Sequence, residues 1–466
     1  MSLPFAGTTT TSRNGNYIVS IIQICSRDET LPRWMPLSTA ELTQTIRYPI
    51  GIKYQFLIDI HEIKQPTGSL AYTHSSYIPP SFPYMTKTET HTYISKSHYT
   101  NRELQEYKKV DADTVPIITN IDVKYYAKSL KLCPSVGIIS CDNIWCRNIG
   151  VIDRIDDVDV IFHIGDAIYA DPIYTAWTKG SGIFNRKCID NLLDAVAYLY
   201  IQTWNRFPMY KAEHRIIPDD HDWCDNSSLD KITCKTKHQY NYIRAITHFN
   251  DLLGFVINGH LRQSGSYYTA SLQTQKTTYL AISNYVPNVE LIPKVVTNSE
   301  IVRDLIQQNI TLTTPEVVII VSKTSFPITQ TLMFNRLLYG HDSLCNWHNY
   351  KAFAILKRVW RTNLTVVCGD LHLPLAMNVQ YCDPDGYTIQ YPMYSTGTLS
   401  GVSEDHVKDD FDKPAGVTLV PIGQSHHCER GNSYLRVRGC QVEVIFRSQD
   451  ALQFADAAYK FGACCI

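Results

Sequence analysis

Apolar and polar positions along this chain follow two periods. An alternating stretch such as Tyr54-Gln55-Phe56-Leu57-Ile58-Asp59-Ile60 predicts a strand with one buried face. Short, nearly unbroken apolar runs at 136–139, 158–164, 214–217, 316–321 and 364–368 predict buried strands. Residues 188–204 repeat apolar positions at Ile189, Leu192, Leu193, Val196 and Tyr200, which predicts an amphipathic helix. A second helix is predicted over 349–360, burying Ala352, Ile355, Leu356 and Val359. A late alternating run, Gln441 to Phe446, predicts a closing strand. Residues 1–130 are rich in Thr, Ser, Tyr and Pro and are punctuated by Pro79-Pro80 and Phe82-Pro83. They predict a separate β-rich, sandwich-like N-terminal domain. From residue 131 to 466, strand and helix alternate, as a layered α/β domain requires.

Composition narrows the function. The chain has 466 residues, 44% of them apolar, enough for a large core and one to three domains. A formal net charge of −1, with both signs mixed, leaves no basic field to hold phosphate backbones, so no dedicated nucleic-acid binding is expected. The first residues show no basic stretch followed by an apolar one, and no apolar run approaches the ~20 residues that cross a bilayer. The expectation is therefore a cytoplasmic protein without a membrane span. Its fourteen cysteines are scattered and are expected to be mostly reduced and buried.

Four buried runs end in short polar motifs: Ser140-Cys141-Asp142, Gly165-Asp166-Ala167-Ile168-Tyr169, Asp219-Asp220-His221-Asp222 and Gly369-Asp370-Leu371-His372. Ligands of α/β sheets gather beyond the carboxyl ends of strands, where these motifs fall. The residue types suit metal. Asp166 has two oxygens that can bridge cations, Tyr169 offers a phenolate three residues on, and Cys141 a thiolate. Asp370 and His372, at i and i+2, share a face if the chain there is extended. Asp219, Asp220 and Asp222 crowd His221 and repel one another unless cations intervene. His221, its protonated form favoured by these carboxylates, is a candidate general acid, with Asp222 a candidate to orient it. Asn226 offers a further amide oxygen. Two ions ~3.5–4 Å apart would bind phosphoryl oxygens and supply a hydroxide for in-line attack. No phosphate-binding GxxxxGK[ST] loop and no G-x-S-x-G elbow is present.

With these residues in order, the chain resembles the PhoD-like alkaline phosphatases, a branch of the metallophosphoesterases. Their pattern runs Ser-Cys, Gly-Asp-x-x-Tyr, Asp-Asp-His-Asp/Glu and Gly-Asp-x-His, matched here by Ser140-Cys141, Gly165 to Tyr169, Asp219 to Asp222 and Gly369 to His372. Gly265-Ser266-Tyr267-Tyr268, Asp342, Trp347 and Asn432-Ser433-Tyr434 add weaker likenesses, and the whole spans about residues 131–447. The resemblance implies an α/β fold, a four-layer αββα metallophosphoesterase sandwich, preceded here by the N-terminal β-rich domain. It implies two metal ions. Cys141, Asp166, Tyr169 and His372 would hold a ferric ion. Asp166 would bridge to a second ion, held by Asp220 and Asp370 with Asn226; calcium fills it in some members, and magnesium, manganese or zinc are alternatives. His221 would protonate the leaving alcohol of a phosphomonoester or phosphodiester.

The family's Asp-x-Arg stretch after the Tyr-Tyr hairpin is missing. Here the region reads Leu280-Ala281-Ile282-Ser283-Asn284-Tyr285, without arginine. That departure is the best support for a rival reading, a catalytically silent member of the fold acting as a binding or scaffold module. A third candidate, a zinc site at His426-His427-Cys428, is disfavoured because adjacent residues rarely point to one ion.

Overall fold

The computed structural model describes residues 5–11, 17–27, 35–36, 40–63, 69–70, 72–73, 125–126, 134–144, 151, 155, 158–179, 188–204, 212–225, 236–263, 265–310, 312–325, 349–400, 416–422 and 431–448. Two large sheets dominate. The first takes β1 (Phe5–Thr11), β2 (Tyr17–Ser26), β3 (Ala40–Pro49), β4 (Tyr54–Ile63), β5 (Val136–Ile139), β6 (Val160–Ile164) and β7 (Glu213–Ile217). The second is built from β8 (Thr269–Gln273), β9 (Thr277–Ile282), β10 (Glu316–Val321), β11 (Asn363–Cys368), β12 (Pro374–Cys382), β13 (Thr388–Thr396) and β14 (Val417–Pro421). The chain then returns to the first sheet with β15 (Gly431–Arg438) and β16 (Gln441–Ser448). Strand order is β16-β15-β5-β6-β7-β1-β2-β4-β3 in the first sheet and β8-β9-β10-β11-β13-β12-β14 in the second.

Strands β5, β6 and β7 are parallel neighbours, and so are β9, β10 and β11. Parallel strands are covered on both faces, which is why their sequences read as unbroken apolar runs. Alternate residues of β10 show the two covers. Val318 and Ile320 join the core that contains the first sheet, whereas Val317, Ile319 and Val321 join a second core with Tyr350, Phe353 and Leu356. Helices α1 (Asp171–Lys179), α2 (Ile189–Trp204) and α3 (Lys237–Asn258) belong to the first core; α4 (Asn298–Gln307) and α5 (Asn349–Trp360) belong to the second. Two helices begin with reciprocal caps: Thr236 with Gln239 before α3, and Thr297 with Glu300 before α4. Among the described residues no helix is long and apolar enough to cross a membrane.

Three details differ from the sequence reading. The N-terminal strands do not form a sandwich of their own within the described residues; β1 pairs with β7, and β2, β4 and β3 extend the first sheet edge to edge. Burial explains it. Phe56 packs on Phe249 of α3 with ring centroids 6.0 Å apart, and Tyr48 meets Phe255 edge-on at 5.6 Å. The strands β2 and β4 thus share the core of the α/β part instead of making another. Helix α2 is consequently buried nearly all round from Asp194 to Trp204 rather than amphipathic, with Ile189 exposed at its start. In α5 the buried stripe is Tyr350, Phe353, Ala354 and Leu356, while Ile355 and Val359 are exposed. Its aromatic residues set that rotation: Phe353 packs on Tyr391, whose hydroxyl donates to the Tyr350 carbonyl at 2.9 Å.

The N-terminal strands are also tied by charge. Asp194, fully buried on α2, accepts the backbone N–H groups of Ile52 (3.2 Å), Lys53 (2.9 Å) and Tyr54 (3.2 Å) at the β3–β4 turn. Removing the carboxylate would take the acceptor from three backbone N–H groups, that of the buried Tyr54 among them. Asp194→Ala should therefore lower unfolding free energy by about 3 kcal/mol in urea titration. Loss within 0.5 kcal/mol of zero would mean that the bonds from Asp194 to this turn contribute nothing to folding.

Candidate metal centre

Parallel register aligns strand ends, so the residues following β5, β6 and β7 lie along one edge: Cys141, Asp166 and the segment Asp219–Asp222. Asn284, Lys323 and Asp370 follow β9, β10 and β11 in the same way. Hydroxyls stitch the two edges together. Ser322 donates to Asp219 Oδ1 at 2.9 Å, Ser283 to the Pro218 carbonyl at 2.6 Å, and Ser140 pairs with Thr396 at 2.6 Å.

The backbone is strained at this junction. Among the described residues seven that are not glycine have positive φ, and four of them are Cys141 (57°), Asp166 (52°), Asp370 (65°) and His372 (53°). A side chain in the left-handed region persists where its surroundings over-determine it, and such residues gather at functional sites. Asp370 and His372 therefore reach the cluster through a tight left-handed turn, with the Leu371 N–H donating to the Gly369 carbonyl at 2.8 Å, and not by the extended path expected of i and i+2. The preceding glycines are needed for close approach. A Cβ on Gly165 would lie 2.3 Å from Asp219 Cβ, and one on Gly369 would lie 2.7 Å from the Ser322 carbonyl.

The side chains converge in overlapping groups. One atom each of Cys141, Asp166 and His372 lie within 4.8 Å of one another, and the Tyr169 hydroxyl is 3.1 Å from His372 Nε2. The Cys141 thiol is 3.5 Å from Asp166 Oδ2. Asp166, Asp219, Asp220 and Asp370 form a second group on the same criterion, and Asp166, Asp220 and His221 a third. Into the second group comes Lys323, 1% exposed, whose ammonium lies 3.1 Å from Asp220 Oδ1, 3.3 Å from Asp370 Oδ1 and 3.4 Å from Asp219 Oδ2.

Electrostatics disfavour the charged form of the cluster. Burial raises the Asp166 carboxyl well above the usual range, and Asp220, Asp222 and Asp370 raise it further against the opposing pull of His221. Asp219 is raised in the same way by burial, against Lys323, with Asp220, Asp370 and Asp166 adding repulsion. Burial and the neighbouring Asp166 charge also push the Cys141 thiol up. Asp219 Oδ2 is buried without a hydrogen bond, apart from its contact with the ammonium. Two carboxylates sharing so small a space ionise together only if positive charge is added. Cys, Asp, Tyr and His together offer soft and hard donors, a set that fits a transition-metal ion.

His221 is held differently from the sequence reading. Its Nδ1 pairs with Asp171 Oδ2 at 2.8 Å, its ring stacks on Tyr169 at 4.1 Å, and its backbone N–H donates to Asp166 Oδ1 at 3.2 Å. Burial would lower its pKa, but Asp171, Asp166 and Asp220 outweigh that and hold it well above the ordinary value. Its side chain keeps 21% of its surface exposed, so a molecule outside the cluster can reach it. Asp222 accepts the N–H groups of Asp166 (3.0 Å), Ile168 (3.3 Å) and Asp219 (2.8 Å) and the Tyr200 hydroxyl (3.3 Å), which makes it the clamp of the Asp166 loop. Asp171 takes the place beside the imidazole that the sequence reading gave to Asp222. Asn226, Asp342, Trp347 and His426-His427-Cys428 lie outside the described residues.

Sequence reasoning passed over Lys323 and Asp171. Asp171-Pro172 is a recognisable helix start, and an acidic residue there favours the helix N-terminus. Lys323 stands two residues beyond a buried run, at the same kind of strand end as the quoted motifs. That position was a usable signal.

No family model and no curated protein matches the chain. A solved structure described as the structure of PhoD is similar over 100% of this chain and 98% of its own, with TM-score 0.50 and 10% identity. The likeness is one of fold. It agrees with a mixed α/β molecule of several sheets.

Asp222 accepts three backbone N–H groups, whereas Asp171 accepts one, from Asp225 at 2.6 Å, and spends its other oxygen on the His221 ring, so their amide variants should differ in cost. Asp222→Asn turns an amide group toward N–H donors and should lower unfolding free energy by about 2–4 kcal/mol, whereas Asp171→Asn should cost under about 1.5 kcal/mol. Chemical denaturation of both variants measures the contrast.

Proposed function

We propose that this protein is a metal-dependent phosphoesterase with the four-layer αββα architecture. The reading is carried by one observation: Cys141, Asp166, Tyr169 and His372, from three chain segments, bring a thiol, a carboxylate, a phenol and an imidazole to one point, with an Asp-paired histidine beside them. The alternating burial of β10 between two cores supports the layering. The fold likeness to PhoD is consistent with both.

Cys141, Asp166, Tyr169 and His372 would hold the metal ion, and Asp220 and Asp370 face the position a second ion takes in a binuclear reading. A bound cation supplies Lewis acidity toward a phosphoryl oxygen and toward the attacking water. The chain's own residues do the rest. His221, kept protonated by its carboxylate neighbours, carries a proton on Nε2 while Nδ1–H stays on Asp171. As the bond between phosphorus and the leaving oxygen breaks, Nε2 gives its proton to that oxygen, so an alcohol departs instead of an alkoxide. Asp171 fixes the tautomer and orientation; Tyr169, stacked on the ring, fixes its plane. Asp222 keeps the Asp166 turn from relaxing.

Elemental analysis of the full chain and hydrolysis of mono- and bis-nitrophenyl phosphate, with and without chelator, test the reading. Asp166→Ala should lose metal and activity together. His221→Ala should keep its metal and lose ~10²–10⁴ in kcat. Wild-type protein that holds no metal and releases no nitrophenol would instead support the scaffold reading.

A pH dependence follows. With no metal bound, folded Asp166 and Asp219 hold protons more tightly than they do in the unfolded chain. The folded state then binds the more protons, so stability should fall as pH rises above the ordinary carboxylate range. Bound metal displaces those protons, so metal affinity should rise with pH. Thermal melts of chelated and metal-loaded protein between pH 5 and pH 8 should therefore diverge as pH increases. Parallel curves would mean that these carboxylates do not titrate with the metal.

A further inference from the structure

Lys323 occupies a prepared position. Its backbone N–H donates to Asn284 Oδ1 at 2.9 Å, and Ser322 beside it accepts the Asn284 N–H at 3.0 Å while donating to Asp219. Asn284 is fully buried and in turn donates to the Val296 carbonyl (2.8 Å) and to Asn298 Oδ1 (2.6 Å). The exit of β10 is thereby locked by neutral amides. At the other end of the side chain, the ammonium lies 5.6 Å from the centroid of the buried Tyr285 ring, within the range of a cation–π contact. Lys323 is nearly inaccessible from stem to head, unlike a surface lysine that snorkels to water. The ammonium meets Asp219, Asp220 and Asp370, three of the four carboxylates that form the second acidic group.

From this arrangement we propose that the Lys323 ammonium is a built-in replacement for the second metal ion, so that the folded chain takes one metal ion and not two. The inference rests on the phosphoesterase reading for its first ion. An ammonium and a divalent ion cannot share three carboxylates at contact distance, because the like charges repel without water between them. The lysine is a compact point charge with three donors, enough to meet the three carboxylates. The arginine that the resemblance leads one to expect at this strand end is replaced by Ser283-Asn284, and Asn284 fixes Lys323.

The test is a count of metal. Full-length wild-type protein, loaded with excess iron, zinc or manganese and desalted, should carry one ion per chain by elemental analysis. Lys323→Gln, which removes the charge with a polar side chain one bond shorter, should carry two. Its metal-free form should melt lower than wild type and recover on adding a divalent ion. Two ions on wild type would overturn the proposal while leaving the phosphoesterase reading intact. One ion on both wild type and a folded K323Q would also overturn it, because the carboxylates would then form no cation site. No ion on wild type would overturn both readings. The wild-type count stands by itself even if K323Q fails to fold.

Discussion

Buried negative charges repel, and this protein brings four aspartates and a thiol to one point with little water around them. Such a cluster persists only where the backbone cannot move away and positive charge is supplied. The first requirement is met by stiff parallel strands, whose register fixes where each one ends. It is met further by left-handed turns at Cys141, Asp166, Asp370 and His372, and by glycines that let those turns touch. Lys323 contributes toward the second requirement, and the donor set of Cys141, Asp166, Tyr169 and His372 fits a metal ion for the remainder.

The outer structure follows from the same constraint. Asp222 lies behind the Asp166 turn and accepts two backbone amides there and a third from Asp219, so these amides keep acceptors in the strained loop. Tyr200 of α2 reaches the same carboxylate, which joins the site to a helix buried on almost every side. That helix in turn holds the β3–β4 turn through Asp194. The N-terminal strands are thus coupled to the cluster through a chain of buried acceptors.

Much of the site was legible because its residues lie at strand ends, and the strands announce themselves as apolar runs. Cys141, Asp166, Tyr169, Asp220, His221, Asp370 and His372 are brought together where the order of motifs suggested. The share of work among them was less legible. Asp222 is the sequence neighbour of His221 and Asp171 stands 50 residues away at a helix start, and only their directions in space separate clamp from orienter. The rotation of α5 was missed because period alone does not rank an aromatic anchor above an aliphatic one.

By itself the sequence determined which segments form buried strands, that these alternate with helices, and which polar residues stand at their ends, because periodicity and β-branched runs are local properties. The tertiary structure alone decided that the N-terminal strands extend the first sheet, that Asp171 partners His221, and that an ammonium from β10 reaches carboxylates from β7 and β11. Those outcomes depend on distances between residues far apart in the chain. They are fixed by which faces must be covered and which charges must be neutralised, and neither quantity exists until the sheets have packed.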